Sequence, residues 1–202
     1  PGVNPLLRTM WRPRLLAPLR WAARTITALA AEGRVPLAEA SEEKRQVTIA
    51  GVPLTGRPDR IDRLADGSLA VVDYKTGSGP TKRAVDRLFA LQLGLLAAMA
   101  EHGAFTGGAA ERVSTFEYWR TNRSKGEFGW IDRPFLTRDP RVTEADFAAQ
   151  AWARAEAPIA AYLGGDAPFV AKLVPEYALY GDFDQLMRLE EWYGQEGVED
   201  AA

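Results

Sequence analysis

Hydrophobic and polar positions follow two different periods along the chain, and the change of period predicts where helices and strands lie. Apolar residues three to four apart predict an amphipathic helix, whereas alternation or a short apolar run between turn residues predicts a strand. The predicted helices are Leu15–Glu32, Ala84–Glu101, Glu144–Leu163 and Asp182–Trp192, and the predicted strands are Arg45–Ala50, Val52–Leu64, Leu69–Lys75 and Arg112–Arg120. A helix, an antiparallel meander, a helix and a strand in this order predict one α/β domain with a mixed sheet.

The amino-acid composition limits the classes of protein to which the chain can belong. The 202 residues are 47% hydrophobic and 26% charged, which is typical of a globular core, and the net charge of -2 requires any nucleic-acid contact to use local basic patches. Without cysteine the chain has no disulfide, thiolate zinc site or cysteine-bound iron–sulfur cluster. With neither a long apolar run nor a signal peptide, we expect no membrane association and a cytoplasmic location. The initial proline predicts a processed product or a fragment of a longer chain.

The strand Leu69–Lys75 ends in charged residues. Both of its faces are apolar until Asp73, so it is predicted to be a central strand covered on both sides. Because side chains alternate, Asp73 and Lys75 share one face and Tyr74 points to the other. A charge at the end of a buried strand is costly unless a partner or a metal ion compensates it.

The turn before this strand decides whether Asp59 can reach Asp73. A two-residue Asp66-Gly67 loop sends Asp59 to the other face, whereas a three-residue Ala65–Gly67 loop with a left-handed glycine sets it directly opposite Asp73. Opposed Cβ atoms are about 4.5–5.5 Å apart, so two carboxylates can then share one divalent ion. Turn residues alone slightly favour the shorter loop. We predict the longer one, or an equivalent bulge near Pro58, because it accounts for all the charges.

A carboxylate opposite a carboxylate–x–lysine has a specific chemistry. A hard cation held by oxygens polarises a phosphodiester and lowers the pKa of a bound water, while the adjacent ammonium orients that water or neutralises developing charge. The alternative is a simple salt bridge between Asp73 and Lys75 at a strand end. Together with Asp59 and the apolar strand, the pattern favours phosphodiester hydrolysis.

Two motifs carry a resemblance to a known family. The residues G-R-P-D-R-I-D-R at 56–63 and V-D-Y-K-T-G at 72–77 resemble the PD-(D/E)XK nuclease domain of the RecB/AddB type. The similarity extends from about Trp11 to Trp192, and the segment Tyr180–Leu186 resembles the end of AddB-type subunits. This resemblance implies a restriction-endonuclease-like core, with a central mixed β-sheet flanked by helices, in a single nuclease domain over residues 1–202.

The resemblance also implies roles for individual residues. Lys75 is the catalytic lysine by this comparison, and Asp59 and Asp73 are metal ligands. The backbone carbonyl of Tyr74 is a candidate third ligand, and Glu42 is a weaker candidate because a second glutamate follows it. The implied cofactor is Mg²⁺ or Mn²⁺.

Gln92 stands out on the predicted helix Ala84–Glu101. The helical period puts it on an apolar face, where an uncharged polar group needs a partner or a function. It is either a buried glutamine bonded to backbone or a residue near the substrate phosphate or attacking water, and it occupies the place of the family's glutamine. The other residues of this face are Val85, Leu88, Phe89, Leu96 and Met99.

The chain departs from the family pattern at three points. Leu96 replaces a tyrosine that often follows the glutamine by four residues. No histidine precedes His102, so the family's upstream metal-binding histidine is missing from this sequence, and His102 is predicted to cap its helix. The absence of cysteine indicates the branch of the family without an iron–sulfur cluster.

Basic residues near the predicted site are candidates for phosphate contacts. The segment Arg120–Gly126 follows a strand and is basic, and a solvated turn is the simpler interpretation of it. For a DNA substrate, phosphate contacts are expected at Lys82, Arg83, Arg87, Arg120, Arg123 and Lys125.

These observations predict a Mg²⁺-dependent DNA exonuclease domain that acts in double-strand-break repair and recombination. The resemblance implies an AddA-like helicase–nuclease partner and a larger parent polypeptide. The alternative is a nuclease-fold domain without activity that binds DNA or acts as a scaffold, which the missing histidine supports.

Overall fold

A computed structural model describes residues 5–38, 40–124 and 127–169 of the chain. The predicted helix Asp182–Trp192, the segment Tyr180–Leu186 and Lys125 lie outside these residues. The helices are Pro5–Ala31 (α1), Lys82–Asp86 (α2), Gln92–Glu101 (α3) and Phe147–Tyr162 (α4), and the strands are Val35–Pro36 (β1), Arg45–Ile49 (β2), Val52–Gly56 (β3), Arg60–Arg63 (β4), Leu69–Lys75 (β5), Val113–Ser124 (β6) and Glu127–Asp132 (β7).

Five strands form the central sheet in the order β1-β4-β5-β6-β7. The β5–β6 pair is parallel and the other three pairs are antiparallel, so the sheet is mixed. Helices flank it, as a restriction-endonuclease-like α/β fold requires, and this prediction is confirmed. None of the helices in the described part of the chain combines the length and apolar character that a bilayer crossing requires.

The predicted strand Val52–Leu64 is wrong, because it divides into two strands of different sheets. β3 pairs with β2 in a separate two-stranded ribbon, and β4 belongs to the central sheet. The turn between β2 and β3 is Ala50-Gly51, with φ of 47° and 78°, the two-residue geometry that favours a hairpin. Pro58 lies between β3 and β4, where a residue without an N–H group cannot continue a strand ladder.

The register between β4 and β5 confirms the three-residue loop. Arg60 pairs with Val72, and Leu64 N–H donates to Ser68 C=O at 2.8 Å beyond the last strand pair. Gly67 has a φ of 85°, the left-handed conformation that this loop needs. One step beyond the Arg60–Val72 pair, Asp59 therefore lies opposite Asp73.

The first helix begins earlier than the sequence pattern predicts. It runs from Pro5 rather than Leu15 and continues through two internal prolines, each of which removes one helical hydrogen bond. Its end is as predicted: Gly33 has a φ of 86°, its N–H donates to Ala30 C=O, and the next N–H donates to Leu29 C=O. These two bonds satisfy carbonyls that the helix end leaves open.

The predicted helix Ala84–Glu101 is also wrong, because it is interrupted after α2. Leu88 has a φ of 55°, its N–H donates to Val85 C=O, and Phe89 N–H donates to Ala84 C=O. This is the helix-ending motif that normally uses glycine. Here leucine occupies the left-handed position, so no glycine or proline marks the break, and Gln92 becomes the first residue of α3.

The two faces of the central sheet are covered differently. The face that carries Val71 and Asp73, here called the α3 face, packs on α3 and α4 and forms the main hydrophobic core with Phe116. The opposite face, here called the α1 face, is covered by α1, where Trp21 contacts Trp119 edge to face at 5.7 Å. The charged end of β5 therefore opens at the edge of the main core.

Candidate active site

Asp73 and Lys75 come from the end of β5 and point to the α3 face. Lys75 Nζ lies 2.7 Å from Asp73 Oδ2, and the side chains are 26% and 4% exposed. Asp73 Oδ2 is buried, and the Lys75 ammonium is its charged partner. The pair is therefore a largely buried ion pair, in which Lys75 compensates part of the charge of Asp73.

Gln92 joins the two charged side chains. Its Nε2 donates to Asp73 Oδ1 at 2.7 Å, and its Oε1 accepts from Lys75 Nζ at 3.2 Å. The expected proximity of Gln92 to Asp73 is confirmed, but its expected position on a buried helix face is wrong, because the residue is exposed. The break after α2 places Gln92 at a helix start, from which its amide reaches the end of β5.

Asp59 completes the cluster from the neighbouring β-strand connection. Its Oδ2 accepts a hydrogen bond from Tyr74 N–H at 2.9 Å, which holds the carboxylate against the end of β5. The predicted placement of Asp59 opposite Asp73 is confirmed by the register of the two strands. Residues 59, 73, 75 and 92, which are far apart in sequence, thus meet in one place.

The environment of Asp73 disfavours the ionised form of its carboxyl group. Burial raises the pKa of Asp73 above its usual value, and the charge of Asp59 raises it further. The contacts with Lys75 and Gln92 lower it but do not outweigh burial. A cation placed between the carboxylates would stabilise the ionised form of Asp73.

The residues present fit a divalent ion held by two carboxylates. The carboxylates of Asp73 and Asp59 are hard oxygen donors, the type that Mg²⁺ prefers, and Mg²⁺ usually keeps several waters. Within residues 5–38, 40–124 and 127–169, no group of three or more acidic or histidine side chains could hold a metal ion. Ligation by the Tyr74 carbonyl stays a prediction.

Glu42 does not join this cluster. Its carboxylate accepts a hydrogen bond from Arg57 Nε at 2.9 Å and a second contact from the same guanidinium, in an exposed ion pair. Its backbone has a φ of 61°, and its N–H donates to Pro58 C=O. The connection between β3 and β4 is therefore tied to the segment before β2, and a metal-binding role for Glu42 stays a prediction.

The candidate phosphate-binding residues separate into two groups. Lys82, Arg83 and Arg87 are exposed on α2 and its end, and Arg123 is exposed on β6. The prediction for Arg120 is wrong, because β6 continues through it and buries it to 7% exposure. Its guanidinium pairs with Asp132 of β7 at 2.8 Å, so it is not available at the surface.

Tyr118 of β6 lies next to the site and was not predicted as part of it, whereas Arg120 was predicted only as a phosphate contact. Tyr118 is the register partner of Asp73, and Lys75 Nζ lies 5.7 Å from the centroid of its ring. The Tyr118 hydroxyl is buried without a partner, and burial followed by the charge of Asp73 raises its pKa. Arg120 lies against Gly79, where a Cβ would collide with its guanidinium. Only the parallel β5–β6 pairing brings these residues to the site.

The second aspartate of the G-R-P-D-R-I-D-R motif lies on the α1 face. Asp62 is fully buried and accepts hydrogen bonds from Arg34 and Arg60, both at 2.6 Å. Arg60 also stacks over Trp119, with its guanidinium carbon 5.1 Å from the ring centroid. The motif thus contributes Asp59 to the candidate site and Asp62 to a buried ion cluster.

Comparison with known proteins shows which family the chain belongs to. No curated protein matches the chain. A family model described as the PD-(D/E)XK nuclease superfamily matches residues 4–173. Nucleases of this superfamily generally use divalent metal ions such as Mg²⁺, in agreement with the two opposed carboxylates. Because the match covers most of the sequence, the chain belongs to the PD-(D/E)XK nuclease superfamily.

Proposed function

We propose that this chain is a Mg²⁺-dependent DNA exonuclease domain of the RecB/AddB type. The observation that carries the proposal is the contact of Asp73, Lys75 and Gln92 beside Asp59 at one strand end. Asp59 and Asp73 hold the ion in this proposal, Lys75 is the catalytic lysine, and Gln92 positions it. Mn²⁺ is the expected substitute ion.

The roles follow from the chemistry of each side chain. Asp59 and Asp73 would hold the divalent ion, which would supply Lewis-acid polarisation of the phosphodiester and activation of water. The Lys75 ammonium donates to a phosphoryl oxygen and neutralises charge that develops there. Gln92 keeps Lys75 and Asp73 in a fixed relation, because its amide contacts both. In this proposal the exposed cations Lys82 and Arg83 contact the DNA backbone.

The proposed assignment to a RecB/AddB-type subunit rests on the two sequence motifs. The combination of the two RecB/AddB-like motifs with a cysteine-free sequence supports an AddB-type subunit that acts with an AddA-like helicase–nuclease in double-strand-break repair. We infer that residues 1–202 are one nuclease domain of a larger cytoplasmic polypeptide.

Cleavage of end-labelled DNA tests this function. Linear single-stranded and double-stranded DNA and circular single-stranded DNA are incubated with Mg²⁺, Mn²⁺ or EDTA. An exonuclease degrades the linear substrates with Mg²⁺, leaves the circle intact, and stops in EDTA. Cutting of the circle would contradict exonuclease action, and equal cleavage in EDTA would contradict the metal requirement.

Lys75→Ala tests the assigned chemistry in the same assay. Loss of one donor that stabilises developing charge lowers the rate by about 10²–10³. The matched control is Lys44→Ala, which removes an exposed lysine before β2. A Lys75→Ala protein that melts at the wild-type temperature but cuts at the wild-type rate would refute the assignment.

A second candidate function is DNA binding without cleavage. It is favoured by the absence of a third acidic or histidine ligand among the described residues and of any histidine before His102. A mobility-shift assay alongside the cleavage assay separates the two functions. DNA binding without cleavage in either metal ion would support the scaffolding role and reject the nuclease.

A further inference from the structure

Arg120 lies beside Lys75, because the two residues are register partners in the parallel β5–β6 pair. Aligned side chains of paired strands leave the sheet on the same face, so both cations lie on the α3 face. Lys75 Nζ and Arg120 Cζ lie 5.7 and 5.5 Å from the centroid of the Tyr118 ring. Arg120 is 7% exposed and is not available to a substrate phosphate. A buried cation next to Lys75 therefore needs a role other than substrate contact.

An ion pair with β7 fixes the guanidinium of Arg120. Its Nε and Nη2 both donate to Asp132 Oδ2, at 3.3 and 2.8 Å. The two side chains are 9% and 22% exposed, so the pair is largely shielded from water. Two donors on one planar group set its orientation as well as its position. The carboxylate also compensates the positive charge that Arg120 brings next to Lys75.

The remaining nitrogen of this guanidinium faces the loop that leaves β5. Residues 76–81, here called the 76–81 loop, connect Lys75 to the start of α2. Arg120 Nη1 donates to Gly77 C=O at 3.5 Å. A Cβ added to Gly79 would lie 2.8 Å from Arg120 Cζ, closer than atoms pack, so the loop backbone lies directly against the guanidinium. The contacts of Arg120 with Asp132, Gly77 and Gly79 are here called the Arg120 clamp.

The 76–81 loop depends on this contact for a fixed conformation. It contains two glycines, which have more backbone freedom than other residues, and residues 76–78 are exposed, so packing contributes little to holding it in place. Lys75 precedes the loop, and the exposed cations Lys82 and Arg83 follow it. A reacting phosphate that is misplaced by about 1 Å can lower a rate by about 10²-fold. The conformation of the loop therefore bears on how a bound strand meets Lys75.

We propose that Arg120 is a positioning residue of the nuclease reaction, a role that rests on the proposed function. Held by Asp132, its guanidinium clamps the 76–81 loop to the sheet and fixes the distance between Lys75 and the cations of α2 that contact the DNA backbone. Loss of the clamp leaves those cations on the protein, so DNA still binds, but the scissile phosphate no longer lies in a reactive position.

Gly79→Ala tests the clamp without removing a charge. The added methyl group meets the guanidinium that Asp132 holds, so the loop must shift, and kcat for end-labelled linear DNA should fall at least about tenfold while KM changes less than about threefold. Gly77→Ala is the matched control in the same loop, because no heavy atom lies within 4 Å of its added Cβ. Its kcat should fall less than about twofold. Equal kcat in the two variants would overturn the proposal.

Arg120→Ala removes the clamp itself. Its kcat should fall about 10²-fold, and hydrogen exchange at the amides of residues 77–79 should become faster. The salt dependence of DNA binding should keep the wild-type slope, because no phosphate contact is lost. In the Arg120→Ala background, Gly79→Ala should cause no further loss, because the group that its methyl meets is absent. If Arg120→Ala fails to fold, the comparison of Gly79→Ala with Gly77→Ala still decides the matter.

Three other outcomes would contradict the role of Arg120. A wild type that does not cut DNA would reject the nuclease and this role together, whereas a cutting wild type whose kcat is unchanged in Arg120→Ala would reject this role alone. A lower melting temperature with unchanged kcat would show that Arg120 only stabilises the fold. A raised KM with a reduced salt slope would show that Arg120 contacts phosphate directly.

Discussion

The two faces of the central sheet use one buried aspartate from each of the two motifs in opposite ways. On the α1 face, Asp62 is fully buried and receives two guanidinium hydrogen bonds of 2.6 Å, from Arg34 and Arg60. On the α3 face, Asp73 receives one amide hydrogen bond from Gln92 and an ammonium contact of 2.7 Å from Lys75. Both aspartates are buried, but Asp62 has two cationic partners, whereas Asp73 has one cationic partner and the charge of a second carboxylate, Asp59, near it.

This difference distinguishes a carboxylate that stabilises the fold from a carboxylate that is suited to bind a metal ion. Two guanidinium groups compensate Asp62 internally, so a further cation adds little there. Asp73 faces a second carboxylate, and its pKa is raised by burial and by Asp59. Its ionised form therefore gains from an external cation, as a metal-binding carboxylate must. Burial alone does not identify a functional acid, whereas incomplete compensation of its charge does.

The largest effect on stability is expected on the α1 face. Asp62→Ala leaves two buried guanidinium groups without their shared acceptor, so the free energy of unfolding should fall by about 3–5 kcal/mol. Asp59→Ala is the matched change on the α3 face: it loses a hydrogen bond from Tyr74 N–H, worth about 1 kcal/mol, and relieves the repulsion between Asp59 and Asp73. Urea unfolding of both proteins measures the difference. Equal losses would contradict the contrast between the two faces.

Metal binding should stabilise the protein through the α3 face only. Addition of Mg²⁺ at about one hundred times its dissociation constant should raise the free energy of unfolding by about 2.7 kcal/mol. Asp73→Asn removes one anionic ligand and should abolish most of this increase, whereas Asp66→Asn, in the exposed β4–β5 turn, should keep it. Melting curves with and without Mg²⁺ provide the measurement. A full Mg²⁺ effect in Asp73→Asn would show that the ion binds elsewhere.

In metal-free buffer, the pH dependence of the free energy of unfolding tests the raised pKa of Asp73. The pKa of Asp73 is higher in the folded chain than in the unfolded chain, so the folded state binds the proton more tightly. This contribution is fully present below the unfolded pKa of about 4 and is lost as pH rises through the folded pKa. Relative to Asp73→Asn, the wild type should therefore lose stability as pH rises from about 4 to 7. A constant difference across this range would contradict the assigned shift.

Gln92 should affect cleavage more than stability. Gln92→Ala removes the amide that contacts Asp73 and Lys75, and loss of such a supporting group lowers activity by about 10–100-fold. Because Gln92 is exposed, the melting temperature should change little. Gln150→Ala, on α4, is the control glutamine. A Gln92→Ala protein with wild-type cleavage would remove Gln92 from the active site.

Substitution of Tyr118 by phenylalanine is expected to have the smallest effect on stability and on cleavage. Its buried hydroxyl has no partner, so Tyr118→Phe should leave stability unchanged or raise it by about 1 kcal/mol. The phenyl ring remains under Lys75, and cleavage should stay close to wild type. Tyr118→Leu removes the aromatic ring and should lower both quantities. A clear loss of stability in Tyr118→Phe would indicate that the hydroxyl has a partner in solution.

The local pattern of the sequence was sufficient to predict the centre of the candidate active site. The apolar run of β5 indicated a buried strand, and the charges at 59, 73 and 75 selected the three-residue loop that sets Asp59 opposite Asp73. These residues lie within one hairpin, so strand alternation and turn geometry alone relate them. The family motifs cover the same short segment. The mixed sheet was also predictable, because the order of elements limits the topologies available.

Only the tertiary structure decided how the rest of the chain meets this hairpin. The break before α3 depends on the left-handed conformation of Leu88, and no glycine or proline in the sequence marks this position. The break moves Gln92 from the predicted buried helix face to the start of a helix. The pairing of β6 with β7 removes Arg120 from the surface by joining it to Asp132. The burial of Asp62 needs Arg34 from beyond α1. In each case the deciding contact joins segments distant in sequence, and its energy comes from packing and charge compensation that local propensity does not contain.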